Sequence, residues 1–176
     1  MSYCNYIQQN ATLDGDYLLH KKYHDEQYGF PIEDDNELFG RLLLEINQAG
    51  LSWTLMLRKQ EHFRRAYDGF AIEKVAQYGE ADVARLLADA GIVRNRLKVN
   101  AAITNARRIL ELQAEYGSFK NWLDAQHPLT KEGWVRLFKK NFRFVGGEIV
   151  NEFLMSTGYL PGAHAPDCPI YTVLAK

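Results

Sequence analysis

Between residues 34 and 157 one pattern repeats: apolar side chains return every three or four positions, and a capping residue or a glycine separates one run from the next. Leu38, Phe39, Leu42, Leu43 and Ile46 make the first run, with Asp34 or Asp35 as its cap and Gly50 near its end. Leu55, Met56, Phe63 and Tyr67 make the second, behind Ser52. Residues 71–78 and 81–89 predict two short helices, the latter carrying Val83, Leu86 and Leu87 and ended by Gly91. The longest run spans 95–115, with Val99, Ala102, Ile103, Ala106, Ile109, Leu110 and Leu112, and ends at Gly117. Ser118 and Thr130 cap two more, holding Phe119, Trp122 and Leu123, then Trp134, Val135, Leu137 and Phe138. A last helix covers about 147–157, before Gly158. No alternating run predicts a strand. The expectation is an all-α chain of seven or eight helices with short loops. Residues 1–32 read as polar and irregular, and the C-terminal tail as rich in Pro and Gly.

The length, 176 residues, suits one domain spanning 1–176 with a sizeable core. An apolar fraction of 47% with 24% charged residues excludes a wholly disordered chain. No uncharged apolar stretch approaches the roughly 18 residues of a membrane span, and residues 1–30 lack the apolar run of a secretion signal. Lys and Arg total 21 against 22 Asp and Glu, a formal charge of −1, so a nucleic-acid partner must be met by a local basic face. Two cysteines, Cys4 and Cys168, are too few for a disulfide framework. The expectation is a cytoplasmic monomer with thiols free or metal-bound.

Four segments carry candidate chemistry. His164 and Cys168, four apart and flanked by prolines, can reach one metal ion; Cys4 with His20 or His24 would complete a tetrahedral zinc site clipping residues 1–30 to 159–176. The alternative is that these scattered residues bind nothing. Residues 81–107 form a possible hairpin of two helices: a turn at Gly91, then Arg94, Arg96 and Lys98, suits a phosphate, with Arg107 and Arg108 beyond. The same residues also describe an ordinary αα turn with a solvated basic face. Glu45 is embedded in an apolar helix end, where a carboxylate must be paired, hydrogen-bonded or protonated. Together with Gln48, Gly50 and Trp53, and with Tyr6, Tyr23 and Tyr28 as further walls, it offers a purine pocket of one polar group and several flat rings. A polar helix end beside a core tryptophan is the competing account. A last basic run, Lys139 to Gly147, reads as a second phosphate contact or as a solvated face.

In combination these segments resemble the DNA-3-methyladenine glycosylase I family of the helix–hairpin–helix superfamily. The matching stretches are Cys4; Tyr23-His24-Asp25-Glu26 with Tyr28-Gly29-Phe30-Pro31; Glu45 through Gln48-Ala49-Gly50-Leu51-Ser52-Trp53; Asp89-Ala90-Gly91-Ile92 with Arg94, Arg96 and Lys98; and Leu137 to Gly146 followed by His164 and Cys168. The resemblance covers nearly the whole chain. It implies a monofunctional glycosylase that hydrolyses the N-glycosidic bond of 3-methyladenine in alkylated double-stranded DNA, leaving an abasic site. It selects His24 over His20, giving a structural Zn2+ held by Cys4, His24, His164 and Cys168. It makes Glu45 the carboxylate that contacts the base, makes Trp53 and Tyr23 pocket walls, and places Gly50 and Leu51 at the gap left by a flipped nucleotide. Tyr6 and Tyr28 stand where the family often has tryptophan. Leu97 replaces an expected hairpin glycine, and no residue after the hairpin stands out as the catalytic aspartate typical of the superfamily. Two other readings are a non-catalytic DNA-binding module and a glycosylase of different alkylpurine spectrum.

Overall fold

The computed structural model describes residues 2–11 and 14–175. Among them are eleven α-helices, one short 3-10 turn and no strand. The helices are α1 (Tyr3–Gln9), α2 (Gly15–Glu26), α3 (Asp35–Gln48), α4 (Trp53–Ala66), α5 (Ile72–Ala76), α6 (Glu80–Ala88), α7 (Arg96–Tyr116), α8 (Phe119–Gln126), α9 (Lys131–Asn141), α10 (Gly147–Ser156) and α11 (Pro169–Leu174). The 3-10 turn, Asp68–Phe70, joins α4 to α5.

The capping residues read from the sequence act as caps. Asp34 Oδ1 accepts from the Glu37 amide, Ser52 Oγ from Leu55, Ser118 Oγ from Asn121 and Thr130 Oγ1 from Gly133. Asp35, the other candidate for α3, instead accepts from the backbone amides of Phe119 and Lys120, tying the start of α8 to the start of α3.

Helix α3 is the spine. Every residue from Leu38 to Asn47 is buried, so this helix is apolar nearly all round rather than along one stripe. It packs against α4, α7, α8 and α10. Leu38, Leu42, Phe63, Val99, Ile109, Trp134 and Phe153 meet in one continuous core. Burying each such side chain is worth roughly 1.5–3 kcal/mol, enough to fix the arrangement without cross-links.

Two expectations are corrected. Residues 1–32 are not irregular: α1 and α2 occupy much of them, capped by Ser2 and Asp14. Their buried residues are Cys4 and Ile7, then His20, Tyr23 and His24, so no aliphatic stripe marks them as helical. The tail also holds a helix, α11, whose first residue is Pro169, where a missing amide hydrogen costs nothing. With these three the helix number exceeds the seven or eight expected. None of the helices is long and apolar enough to cross a membrane.

Candidate active site

One cavity of about 450 Å³ gathers the residues singled out for base recognition. Tyr6 comes from α1, Tyr23 from α2, Tyr28 from the turn after it, Glu45 from α3 and Trp53 from the first turn of α4. The rings are mutually locked: Tyr23 lies 5.2 Å from Trp53 and 5.7 Å from Tyr28, centroid to centroid, and Tyr3 stands edge-on to Tyr28 at 5.4 Å. Trp53 is half-buried, and its indole Nε1 has no hydrogen-bond partner among the described residues. This is a cavity wall rather than a core tryptophan.

Glu45 is 5% exposed and lines the same cavity. Burial pushes its carboxyl up to about 8; Arg41 opposes the rise and Glu152 adds to it. At neutral pH the empty cavity therefore holds Glu45 protonated. Arg41 stays outside the cavity, with its guanidinium 5.2 Å from the centre of the Tyr23 ring and a bond to the Ser156 carbonyl.

Sequence reasoning missed four further cavity residues: Tyr3, His20, Thr54 and Glu152. His20, weighed as a metal ligand, lies here instead. Its ring nitrogens meet Tyr3 Oη at 2.8 Å and Thr54 Oγ1 at 2.7 Å, and desolvation lowers its pKa. Glu152 carries the same signal that marked Glu45, a carboxylate amid Ile149, Phe153 and Leu154 on an apolar helix.

Beside the cavity, the chain from Gln48 to Ser52 makes a tight turn. Leu51 N–H donates to the Gln48 carbonyl at 2.7 Å, and Gln48 Nε2 donates to the Leu51 carbonyl at 2.8 Å. Gly50 takes φ +83°, a value open to glycine, and is exposed with free space where a side chain would stand. The turn therefore projects Gly50 and half-buried Leu51 next to the base cavity.

The hairpin is α6, the turn 89–95, and α7. Asn95 caps α7, its Oδ1 accepting from the Lys98 amide. Arg94 and Arg96 are exposed, and Leu97 is 69% exposed between them and Lys98. Two expected phosphate contacts behave otherwise. The Gly91 amide already donates to Asp89 Oδ1 at 2.8 Å; the glycine is needed because a Cβ there would lie 2.6 Å from His62. Lys98 is only 5% exposed, and its ammonium donates to the carbonyls of Asn47 at 3.0 Å and Ala49 at 2.8 Å. It satisfies the open C-terminal end of α3. Its place in the helix was readable: Lys98 shares the buried face of Ala101, Ala102 and Asn105. The basic run near Gly147 is fastened to α7 as well. Asn105 brackets Arg143, donating to its carbonyl and accepting from its amide, while Arg108 donates to Asn141 Oδ1.

On the far side of Tyr23, a larger cleft of about 640 Å³ is rimmed by Glu26, Glu33, Asp34, Glu37 and Glu61. Five acids against Lys22, Arg41 and Arg64 make it a poor surface for a phosphate backbone.

Cys4, His24, His164 and Cys168 are all buried, with their ligand atoms within 4.8 Å of one another. The four sulfur–nitrogen separations run from 3.4 to 3.7 Å. Bonds of roughly 2.0–2.3 Å to a tetrahedral zinc would hold such atoms about 3.3–3.8 Å apart. The outward nitrogens are engaged: His24 Nδ1 meets Asp25 Oδ1 at 2.7 Å and His164 Nε2 meets the Tyr28 carbonyl at 2.6 Å. The Ala165 amide donates to Cys4 Sγ. This is the outer set of bonds that orients metal ligands.

The site therefore combines an aromatic cavity holding two acids with an exposed pair of arginines on the turn into α7. Residues 15–134 match the family model described as methyladenine glycosylase. The DNA-3-methyladenine glycosylase 1 of Escherichia coli K12 is 33% identical over 97% of each chain. The DNA-3-methyladenine glycosylase of Haemophilus influenzae is 29% identical over 90% of this chain and 95% of its own. Among solved structures, 3-methyladenine DNA glycosylase I from Staphylococcus aureus superposes with TM-score 0.80 at 32% identity, covering 96% of this chain and 97% of the other. A tyrosine-to-phenylalanine variant of a 3-methyladenine DNA glycosylase I, in complex with 3-methyladenine, gives TM-score 0.80 at 32% identity over 97% of each. The chain belongs to the methyladenine glycosylase family.

Proposed function

We propose that the protein is a base-excision repair glycosylase that hydrolyses the N-glycosidic bond of 3-methyladenine in alkylated duplex DNA. It frees the base and leaves an abasic site. The observation that carries this reading is Glu45, buried at the wall of a cavity otherwise lined by flat rings. N3 methylation makes the adenine ring cationic in DNA, so the base departs neutral and little acid catalysis is required. What remains is to extrude the nucleotide and to prefer a cation. Extrusion costs a few kcal/mol, less for a damaged base. The Gly50–Leu51 turn is placed to occupy the vacated stack, and Arg94 and Arg96 to hold the backbone.

Preference for the cation follows from the desolvation of the Glu45 carboxyl. Aromatic faces favour a positive ring by about 0.5–2 kcal/mol per good contact. The arriving charge also offsets the desolvation that keeps Glu45 protonated, so the carboxyl gives up its proton and accepts from the adenine edge as a carboxylate. Neutral adenine does not ionise Glu45 and gains neither term. Water then attacks the sugar carbon. No lysine lines the cavity, so a Schiff-base lyase step has no nucleophile there.

The Cys4, His24, His164 and Cys168 cluster suits a structural Zn2+, one per chain; four protein ligands leave no open position for substrate. Its part is to anchor α1 and the tail to α2, and through α1 and α2 to hold Tyr6 and Tyr23 in the cavity wall. The protein would act in the cytoplasm as a monomer.

The deciding experiment is chromatographic identification of bases released from methylated duplex DNA. Free 3-methyladenine is the expected product. Duplex binding with no released base would leave a non-catalytic DNA-binding module, and release led by other alkylpurines would change the spectrum.

A further inference from the structure

The base cavity holds a second carboxylate. Glu152, on α10, lines it together with Glu45 of α3, and no lysine or arginine does. The surrounding groups do not account for it. Tyr28 Oη donates to it at a long 3.4 Å, Asn151 gives it a further hydrogen bond, and Lys131 is the cation whose charge reaches it, but desolvation outweighs them. Arg41 lies behind Tyr23, and His20 has both ring nitrogens engaged with neutral hydroxyls. On its own helix, Glu148 faces outward to Lys131 at 3.6 Å. A half-buried carboxylate that shares its cavity with a second buried acid, and has only Lys131 acting on it from outside, is costly. Nothing in the packing needs it, since a glutamine would fill the same volume.

We propose that Glu152 is a second base-recognition carboxylate, reaching the cavity from α10 and setting, with Glu45, the preference for a positively charged purine over a neutral one. This rests on the function proposed above. The missing counter-ion is the ligand: a purinium ring in the cavity supplies one positive charge to both acids. With two acids in one cavity, selection for charge does not depend on a single hydrogen-bonded edge. The same charge supports the protonated state of empty Glu45, because Glu152 adds to the rise of that carboxyl. Tyr28 is the bridge, its hydroxyl donating to Glu152 while its ring faces the cavity.

The test compares a permanent cation, 3,9-dimethyladeninium, with neutral 9-methyladenine, titrated into the full-length protein. Glu152→Gln should weaken the cation about tenfold and leave the neutral base within about twofold, so the affinity ratio falls by about that factor. Glu152→Asp, which keeps the charge but draws it back, should give an intermediate ratio. Tyr28→Phe should keep most of the wild-type ratio, because the charge remains. An unchanged ratio in Glu152→Gln overturns the proposal, and so does a Tyr28→Phe variant that reproduces the whole effect, since Glu152 would then only orient the ring. Melting curves run in parallel should not fall for Glu152→Gln, as a desolvated carboxylate is removed and the amide keeps an oxygen for Tyr28; a loss of both affinities together with melting temperature would also count against a recognition role. Wild-type release of 3-methyladenine from methylated duplex is measured separately. Its absence would remove the enzyme reading, while the ratio reports on Glu152 by itself.

Discussion

The base cavity and the hairpin face solve opposite problems. The cavity is built from five places in the chain, α1, the α2 region, α3, α4 and α10, and it is lined by two acids and several aromatic rings. The hairpin is contiguous from Glu80 to Tyr116, and its arginines at 94 and 96 stand in solvent. Recognition of one charged base needs desolvation, because a carboxylate in water cannot tell a cation from its neutral parent by much. Tracking a phosphate backbone needs only exposed positive charge, which salt screens. Damage to the cavity should therefore change which base is released, and damage to the hairpin should change how tightly any DNA is held.

The largest expected effect lies in the cavity. Glu45→Gln should lower excision of 3-methyladenine by roughly a hundredfold, the worth of about 2–3 kcal/mol of charge-assisted hydrogen bonding. Affinity for undamaged duplex should stay within about twofold. Single-turnover release and filter binding would measure the two, and equal losses in both would erase the contrast. Trp53→Ala should act in the same direction, losing base affinity more than melting temperature; a matching loss in melting would make Trp53 a packing residue.

Next in size is the metal. Protein purified without chelator should carry about one zinc per chain by elemental analysis. Removing it should free the buried thiols of Cys4 and Cys168, and proteolysis should then cut first within residues 1–30 and 159–176. Base affinity should drop with it because Tyr6 and Tyr23 lose their anchor, while the hairpin, remote from the cluster, should keep its DNA affinity.

Protonation of Glu45 gives a third test. Its folded value of about 8 lies above the roughly 4.3 of an unfolded glutamate. The folded state therefore binds the proton more tightly. The stability this contributes is fully present below about pH 4.3 and is lost as pH rises toward about 8. Affinity for a cationic base should move the other way, rising with pH up to about 8 and then levelling, because binding expels that proton. Denaturant melts and calorimetric titrations at several pH values would follow both, and Glu45→Gln should flatten both slopes.

How much of this was legible differs between the two regions for a physical reason. Glu45, Trp53 and the tyrosines are visible as candidates because a carboxylate in an apolar helix end must be accommodated, but a polar helix end beside a core tryptophan explains the segment as well, and the resemblance is what selects the pocket. Their convergence in one cavity was not readable from periodicity, since α1 and α2 bury histidines and aromatic rings rather than an aliphatic stripe. The resemblance supplied it. The helices from α3 to α10 were readable because their capping residues and apolar spacing agree. Glu152 went unread although it carries the Glu45 signal, because nothing nearby in sequence suggested a pocket. In the hairpin the basic run read as a single face, and the structure divides it: Arg94 and Arg96 point outward, and Lys98 points in.

That division gives the smallest effect and the sharpest contrast. Arg94→Ala and Arg96→Ala should each weaken duplex binding at all sequences and reduce the salt slope of log K by about one, as for a lost phosphate contact. Lys98→Met should leave that slope unchanged, because its ammonium is committed to the Asn47 and Ala49 carbonyls. It should instead cost about 1–3 kcal/mol of stability by leaving those carbonyls unpaired. The turn from Gln48 to Trp53 begins where Lys98 holds the end of α3, so excision from duplex should fall further than affinity for the free base. A slope reduced by one in the Lys98 variant would return that residue to the phosphate-binding face, and the two regions would then differ less than their geometry shows.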